Sequence, residues 1–265
     1  MAHVMSDGVR LAVDVIGDGE PVTVVGHGLT GSRADFAPLA AFLPGTKVLF
    51  DFRGHGESER PPAGSYSMDA FAADVDAVAE AHGATGLVGV SLGGGATLRL
   101  LHSKPDRFER LVFILPARLE RSDEARTRLL RLADLLEAHP PAEVATILVA
   151  EEESQGLFDG FPGARDIRTR SILGMNGEGI PFAIREAVDD PPVRDPQAIR
   201  VIAAPALVIG QEGDPVHDAR VARDLAEALP NAKLLLYPDR FALLRDVGPL
   251  TLRVASFLTG VPERT

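Results

Sequence analysis

No cysteine occurs anywhere in the chain, which excludes disulfides, thiolate metal sites and a cysteine nucleophile. No apolar run approaches the ~18 residues needed to span a bilayer. Residues 1–8 are short and mixed in polarity, so no signal peptide is expected there. Positive charge is scarce: 27 Lys and Arg stand against 38 Asp and Glu, a net charge of −11. That balance argues against nucleic acid or an anionic membrane as a partner. No internal repeat and no phosphate loop is visible, and no cofactor is expected. What remains is the expectation of a soluble, cytoplasmic protein acting on a small-molecule substrate, with its oligomeric state unspecified. Its 265 residues suffice for one large domain or a core with an insertion.

Short apolar runs alternate with helical patterns along most of the chain. Val9–Ile16, Val22–Val25, Val48–Phe50, Gly86–Val90, Leu111–Leu115, Ala206–Ile209 and Lys233–Tyr237 read as strands. Helices are expected over Ala34–Phe42, Met68–Ala81, the residues after Ser91 to about Ser103, His217–Ala228 and Gly248–Leu258. Most of these strands are apolar throughout rather than alternating, which indicates a mostly parallel sheet covered by helices on both faces. Between about Leu119 and Ile202 the rhythm changes. Helix-like pieces at Arg121–Glu137, Ala142–Glu152, Arg165–Leu173 and Pro181–Val188 occur there without a convincing strand. Residues 119–202 therefore read as a helical insertion, with residues 1–118 and 203–265 forming the two parts of an α/β core.

The stretch Gly89-Val90-Ser91-Leu92-Gly93 has the G-x-S-x-G form, placed between a strand and a helix. Such a nucleophile elbow turns so sharply that the serine is held in a strained conformation with its hydroxyl clear of the sheet. Glycine suits 89 and 93 because side chains there would collide across the turn. The N–H of Leu92, at the helix start, would point where an oxyanion forms. Taken alone, the pentapeptide also fits a glycine-rich turn with an idle serine.

Four motifs in order resemble the α/β-hydrolase superfamily over essentially the whole length. His27-Gly28-Leu29 looks like its oxyanion loop, implying Leu29 N–H as the second oxyanion donor beside Leu92. Asp51-x-Arg53-Gly54-x-Gly56-x-Ser58 looks like the segment shaping the loop beside the active site, and the elbow is third. Gly210-Gln211-Glu212-Gly213-Asp214 follows the penultimate strand, where the family places its acid, here Asp214. The insertion falls where family members carry a helical cap, the usual source of substrate selectivity.

One group is missing. The family's histidine follows the last strand, and Phe241-Ala242 stands where Gly-His is expected, with no histidine after His217. A serine hydroxyl is a poor nucleophile at neutral pH unless an imidazole takes its proton. In a well-studied serine protease, losing that histidine costs ~10⁶ in turnover, and a residual ~10³–10⁴ over water persists. The resulting triad reads as incomplete. Of the seven histidines, His27 and His55 fit packed loop positions inside motifs, and His82, His102 and His139 fit helix ends. His217, three residues past Asp214, is the candidate substitute base, although it also reads as a first-turn helix residue. Arg53, Asp35 and Arg240 are further candidates for lining the site.

The resemblance implies an enzyme hydrolysing small ester or lactone-like substrates, with Ser91 as nucleophile and Asp214 as acid. Two alternatives stay open. One is a lyase, isomerase or cyclase using the same pocket, with Ser91 donating a hydrogen bond. The other is a non-catalytic ligand-binding protein.

Overall fold

Strand residues project alternately to opposite faces, so runs apolar at every position need cover on both sides. A computed structural model, describing residues 2–117, 123–175, 178–193 and 195–261, shows how the chain provides it. In chain order the elements are β1 (Ala2–Ser6), β2 (Val9–Ile16), β3 (Val22–Gly26), α1 (Ala37–Ala40), β4 (Thr46–Phe50), α2 (Met68–Ala81), β5 (Gly86–Val90), α3 (Leu92–Ser103) and β6 (Arg110–Ile114). Four helices follow: α4 (Asp123–Ala138), α5 (Pro141–Ser154), α6 (Ala164–Leu173) and α7 (Ile180–Ala187). The chain then runs through β7 (Ala206–Gln211), α8 (Ala219–Ala228), β8 (Ala232–Tyr237), α9 (Ala242–Arg245) and α10 (Val247–Thr259).

The eight strands form one sheet in the order β1-β2-β4-β3-β5-β6-β7-β8. The pairs β1–β2 and β2–β4 are antiparallel, and the remaining pairs are parallel. Consecutive residues divide between two cores. Val24, Val48, Leu87, Leu111 and Val208 pack with α2, α3 and α8, while Val25, Leu49, Val88, Val112 and Ile209 pack with α1 and α10. A third apolar cluster joins Leu132 and Leu136 of α4 to Val144 and Leu148 of α5, Ile172 of α6 and Ile184 of α7.

Several boundaries differ from the sequence reading. The helix expected from His217 starts at Ala219, because Asp218 caps it by accepting the N–H of Arg220 at 2.8 Å. His217 is thereby left in the loop. The expected helix over Ala34–Phe42 is split into a 3-10 turn, Arg33–Phe36, and the short α1. The strand expected to end at Leu115 ends at Ile114, and Leu115 has φ 47°. Edge strand β1 was not anticipated, since only Ser6 of its five residues is buried. The expected boundary at residues 118–119 and the helix start at Arg121 lie outside the described residues.

Candidate active site

The chain leaves β5 and enters α3 through Ser91, whose φ of 48° and ψ of −107° lie where side-chain-bearing residues are rarely found. Close packing enforces this turn. A Cβ on Gly89 would lie 2.6 Å from Gly94 N, and one on Gly93 would lie 2.4 Å from Gly26 O. Ser91 N–H donates to Ile114 O at 3.1 Å, and Gly93 N–H to His27 O at 3.0 Å, tying the elbow to β6 and to the loop after β3. The side chain of Ser91 is thus presented at the C-terminal end of the parallel sheet, at a position set by backbone.

His217 Nε2 lies 3.0 Å from Ser91 Oγ. Its Nδ1 faces Asp214 Oδ2 at 3.5 Å. A carboxylate only accepts, so the ring proton belongs on Nδ1 and the Nε2 lone pair faces the serine hydroxyl. Asp214 holds the loop as well as the ring: Oδ1 accepts the N–H groups of Val216 at 2.8 Å and His217 at 2.9 Å. Gln211, buried at the end of β7, donates Nε2–H to Asp214 Oδ2 at 2.8 Å. Burial alone would raise the Asp214 pKa. The side chain, charge and backbone N–H of His217, together with Gln211, instead hold it well below the usual carboxylate range.

The two expected oxyanion donors flank the serine. Leu29 and Leu92 line the same cavity as Ser91, and neither N–H meets an acceptor among the described residues. The Gly28–Leu29 peptide is oriented from its other side: Gly28 O accepts from His27 Nδ1 at 2.7 Å and from Gly31 N at 2.9 Å. In a trans peptide the N–H opposes the carbonyl, so these bonds fix where Leu29 N–H points. His27 Nε2 in turn accepts Phe52 N–H at 3.1 Å. Burial and the neighbouring His55 ring lower the His27 pKa to about 3, so it is neutral in the fold. His55 bridges the carbonyl oxygens of Arg53, at 2.9 Å, and Leu29, at 2.7 Å.

The remaining candidates separate. Arg53 is buried in an ion pair with Asp74 at 2.6 Å, and Asp35 accepts Ser32 N–H at 2.8 Å; neither lines a cavity at the serine. Asp51 is fully buried, accepting the N–H groups of Arg33 at 2.7 Å and Glu57 at 2.9 Å and pairing with the Arg33 guanidinium. These bonds brace the loop beside the site. Ala242 is buried in the core beneath α10, and Phe241 lines a cavity wall. Sequence reasoning gave no role to Gln211, because a glutamine at a strand end carries no motif.

Two cavities meet at His217, Val216 and Leu129. The smaller, about 120 Å³, is lined by Leu29, Met68, Ser91, Leu92 and Pro192. The larger, about 1020 Å³, runs between α4, α5 and α6 and the loops after β7 and β8. Among the described residues no group of His, Asp and Glu is arranged to hold a metal, and no helix is long and apolar enough to cross a membrane.

Comparison with known proteins is consistent with this geometry. A family model for the alpha/beta hydrolase fold matches residues 21–142. The chain is 31% identical over 248 residues to a non-heme chloroperoxidase of Streptomyces lividans, covering 83% of this chain and 84% of that one. It is 29% identical over 233 residues to a putative carbamate hydrolase, RutD, of Caulobacter sp. strain K31, covering 81% of each. In structure it resembles the enol-lactonase of Burkholderia xenovorans LB400, with a TM-score of 0.79 over 97% of this chain and 100% of that one, at 21% identity. At that identity the likeness speaks for the fold.

Proposed function

The chain belongs to the α/β-hydrolase fold family, and from that premise we propose that it hydrolyses small ester or lactone-like substrates. Ser91 is the nucleophile, His217 the base in place of the histidine absent at 242, and Asp214 the acid that orients it. The observation that carries this reading is the 3.0 Å contact between His217 Nε2 and Ser91 Oγ, with Asp214 on the far side of the ring. Residues 119–202 act as a helical cap over a core made of residues 1–118 and 203–265.

The reaction proceeds in two halves. Ser91 Oγ attacks the acyl carbon as its proton passes to His217 Nε2, and the oxyanion is received by the N–H groups of Leu29 and Leu92. The bond to the leaving oxygen breaks, and that oxygen takes the proton from the imidazolium. Water then attacks the acyl-enzyme, giving its proton to His217, which returns it to Ser91 as the carboxylic acid departs. Asp214 stays ionised throughout, a state its depressed pKa supports.

Labelling with a fluorophosphonate probe tests the assignment. Stoichiometric labelling that disappears in Ser91→Ala and in His217→Ala is the expected result. Absence of labelling in the folded wild-type protein would favour chemistry in which Ser91 only donates a hydrogen bond.

A further inference from the structure

The chain carries a net charge of −11, yet the wall of the larger cavity departs from that balance. Four arginines line it against three carboxylates. Arg131 is paired with Glu151 at 3.0 Å and Arg168 with Glu152 at 2.8 Å, Arg128 reaches Gln155 Oε1 at 3.5 Å, and Asp214 is engaged with His217. Arg240 has no carboxylate partner among the described residues. It donates one N–H to Gly156 O at 2.8 Å and lies over the Phe241 ring at 4.9 Å from the centroid. A guanidinium has five N–H donors in a planar fork, so most of its capacity remains after that single bond. A cation held part-buried against an aromatic ring, with no counter-ion, is a place where a ligand anion gains more than it would in water.

The position of this cation relative to the reacting atoms gives it meaning. The oxyanion donors and Ser91 line the small cavity, whereas Gln211, Asp214 and Arg240 line the large one, and His217 borders both. The group that leaves must receive its proton from His217 Nε2, and with the oxyanion donors in the small cavity the leaving portion is given the large one, which His217 also borders. Resting on the hydrolase reading above, we propose that the natural leaving group carries a carboxylate, which Arg240 receives. A planar carboxylate matches the Arg240 fork in both shape and charge, whereas a phosphate dianion there would keep one negative charge unbalanced by it. The substrate is then a short acyl ester of a hydroxy acid whose own carboxylate stays free, or a lactone that bears a second, free carboxylate on its alkoxy side.

Two measurements test this. Hydrolysis of para-acetoxybenzoate and of phenyl acetate is compared in wild type, Arg240→Lys and Arg240→Met. The ratio of their kcat/KM values is expected to fall on the order of ten- to a hundredfold in Arg240→Met, and partly in Arg240→Lys, because one charge-assisted contact is lost. An unchanged ratio would overturn the proposal. Separately, binding of the product para-hydroxybenzoate to the Ser91→Ala protein is followed by calorimetry, with phenol and phenyl phosphate as controls. Arg240-dependent binding of para-hydroxybenzoate over both controls supports the subsite even if no ester is turned over, an outcome that counts against the hydrolase reading alone. Binding that is equal for phenol, stronger for phenyl phosphate, or indifferent to Arg240 would reject the carboxylate subsite whatever the activity.

Discussion

Ser91 and His217 stand 126 residues apart in the chain and meet at 3.0 Å across the end of the sheet. Ser91 lies in the connection from β5 to α3 and His217 in that from β7 to α8, and each is held locally: Ser91 by the collision-limited elbow, His217 by the turn that the Asp214 carboxylate ties. The contact thus joins two separately braced turns, and the proposed chemistry depends on it.

Replacing His217 by Ala is expected to lower kcat by ~10⁴–10⁶ while leaving thermal unfolding within a few degrees of wild type. The ring is partly exposed at a cavity wall and its loss opens no core void. Steady-state kinetics alongside calorimetry measure both quantities. Turnover within tenfold of wild type would remove His217 from the mechanism.

Asp214→Asn should preserve the loop and still lower kcat by ~10⁴, as in serine proteases when the orienting carboxylate becomes an amide. Its carbonyl oxygen can keep the bonds from Val216 and His217 N–H. Its NH₂ can be met by Gln211, whose Oε1 has no partner among the described residues, once that amide turns over. The same NH₂ then faces Nδ1, which must accept rather than donate, and the proton moves to Nε2. NMR of the ring nitrogens would show this exchange of tautomer.

Stability should fall as the solution is acidified below pH 6.5, with a slope of about 1.4 kcal/mol per pH unit from one site. The cause is His27. Its folded pKa of about 3 lies below the ordinary 6.5, so between those values the unfolded chain binds a proton that the fold excludes. Stability from this group is complete above pH 6.5 and is lost as pH falls toward 3. Asp214 acts in a lower window, its contribution being present above the ordinary carboxylate range and lost only as pH falls through its depressed pKa. Urea titrations from pH 7 to 4 on wild type and His27→Gln measure the difference; parallel curves would refute the assignment.

Acyl length should be limited by the small cavity. With about 120 Å³ beside the oxyanion donors, kcat/KM is expected to drop by at least tenfold from acetyl to octanoyl esters of one alcohol. Met68 lines that cavity, and Met68→Ala should move the optimum to longer chains, each buried methylene being worth about 0.8 kcal/mol. A flat profile in wild type would place the acyl group elsewhere.

Gly93→Ala should destabilise the protein by roughly 1–3 kcal/mol, read as a lower urea midpoint. The added methyl meets Gly26 O at 2.4 Å, backbone against backbone, with no flexible side chain to yield.

Much of the sheet was legible because a buried parallel strand needs apolar residues on both faces, and the strand from Gly86 and the helix over Met68–Ala81 carry unmistakable patterns. Strand β1 was not, because an edge strand paired on one side needs little apolar content. The elbow and Asp214 were readable from motifs. The place of His217 was harder to read: the sequence puts it three residues past the acid but says nothing of where that loop leans, which depends on the bonds of Asp214 Oδ1 and on the cap at Asp218. The sequence marks Arg240 as a lining residue without saying what faces it, since its surroundings come from α4, α5 and α6, elements far away in the chain.

The proposed acid and base lie on one short segment, the seven residues from Gln211 to His217, whereas the family resemblance implies a pair divided between two loops. The pair therefore moves as a single body. A shift of that loop alters one separation, from the imidazole to Ser91, and leaves the carboxylate–imidazole geometry untouched. The same economy makes the segment portable: grafted after the equivalent strand of a related scaffold, it would bring orienting acid, base and supporting amide together, leaving a single distance to be tuned.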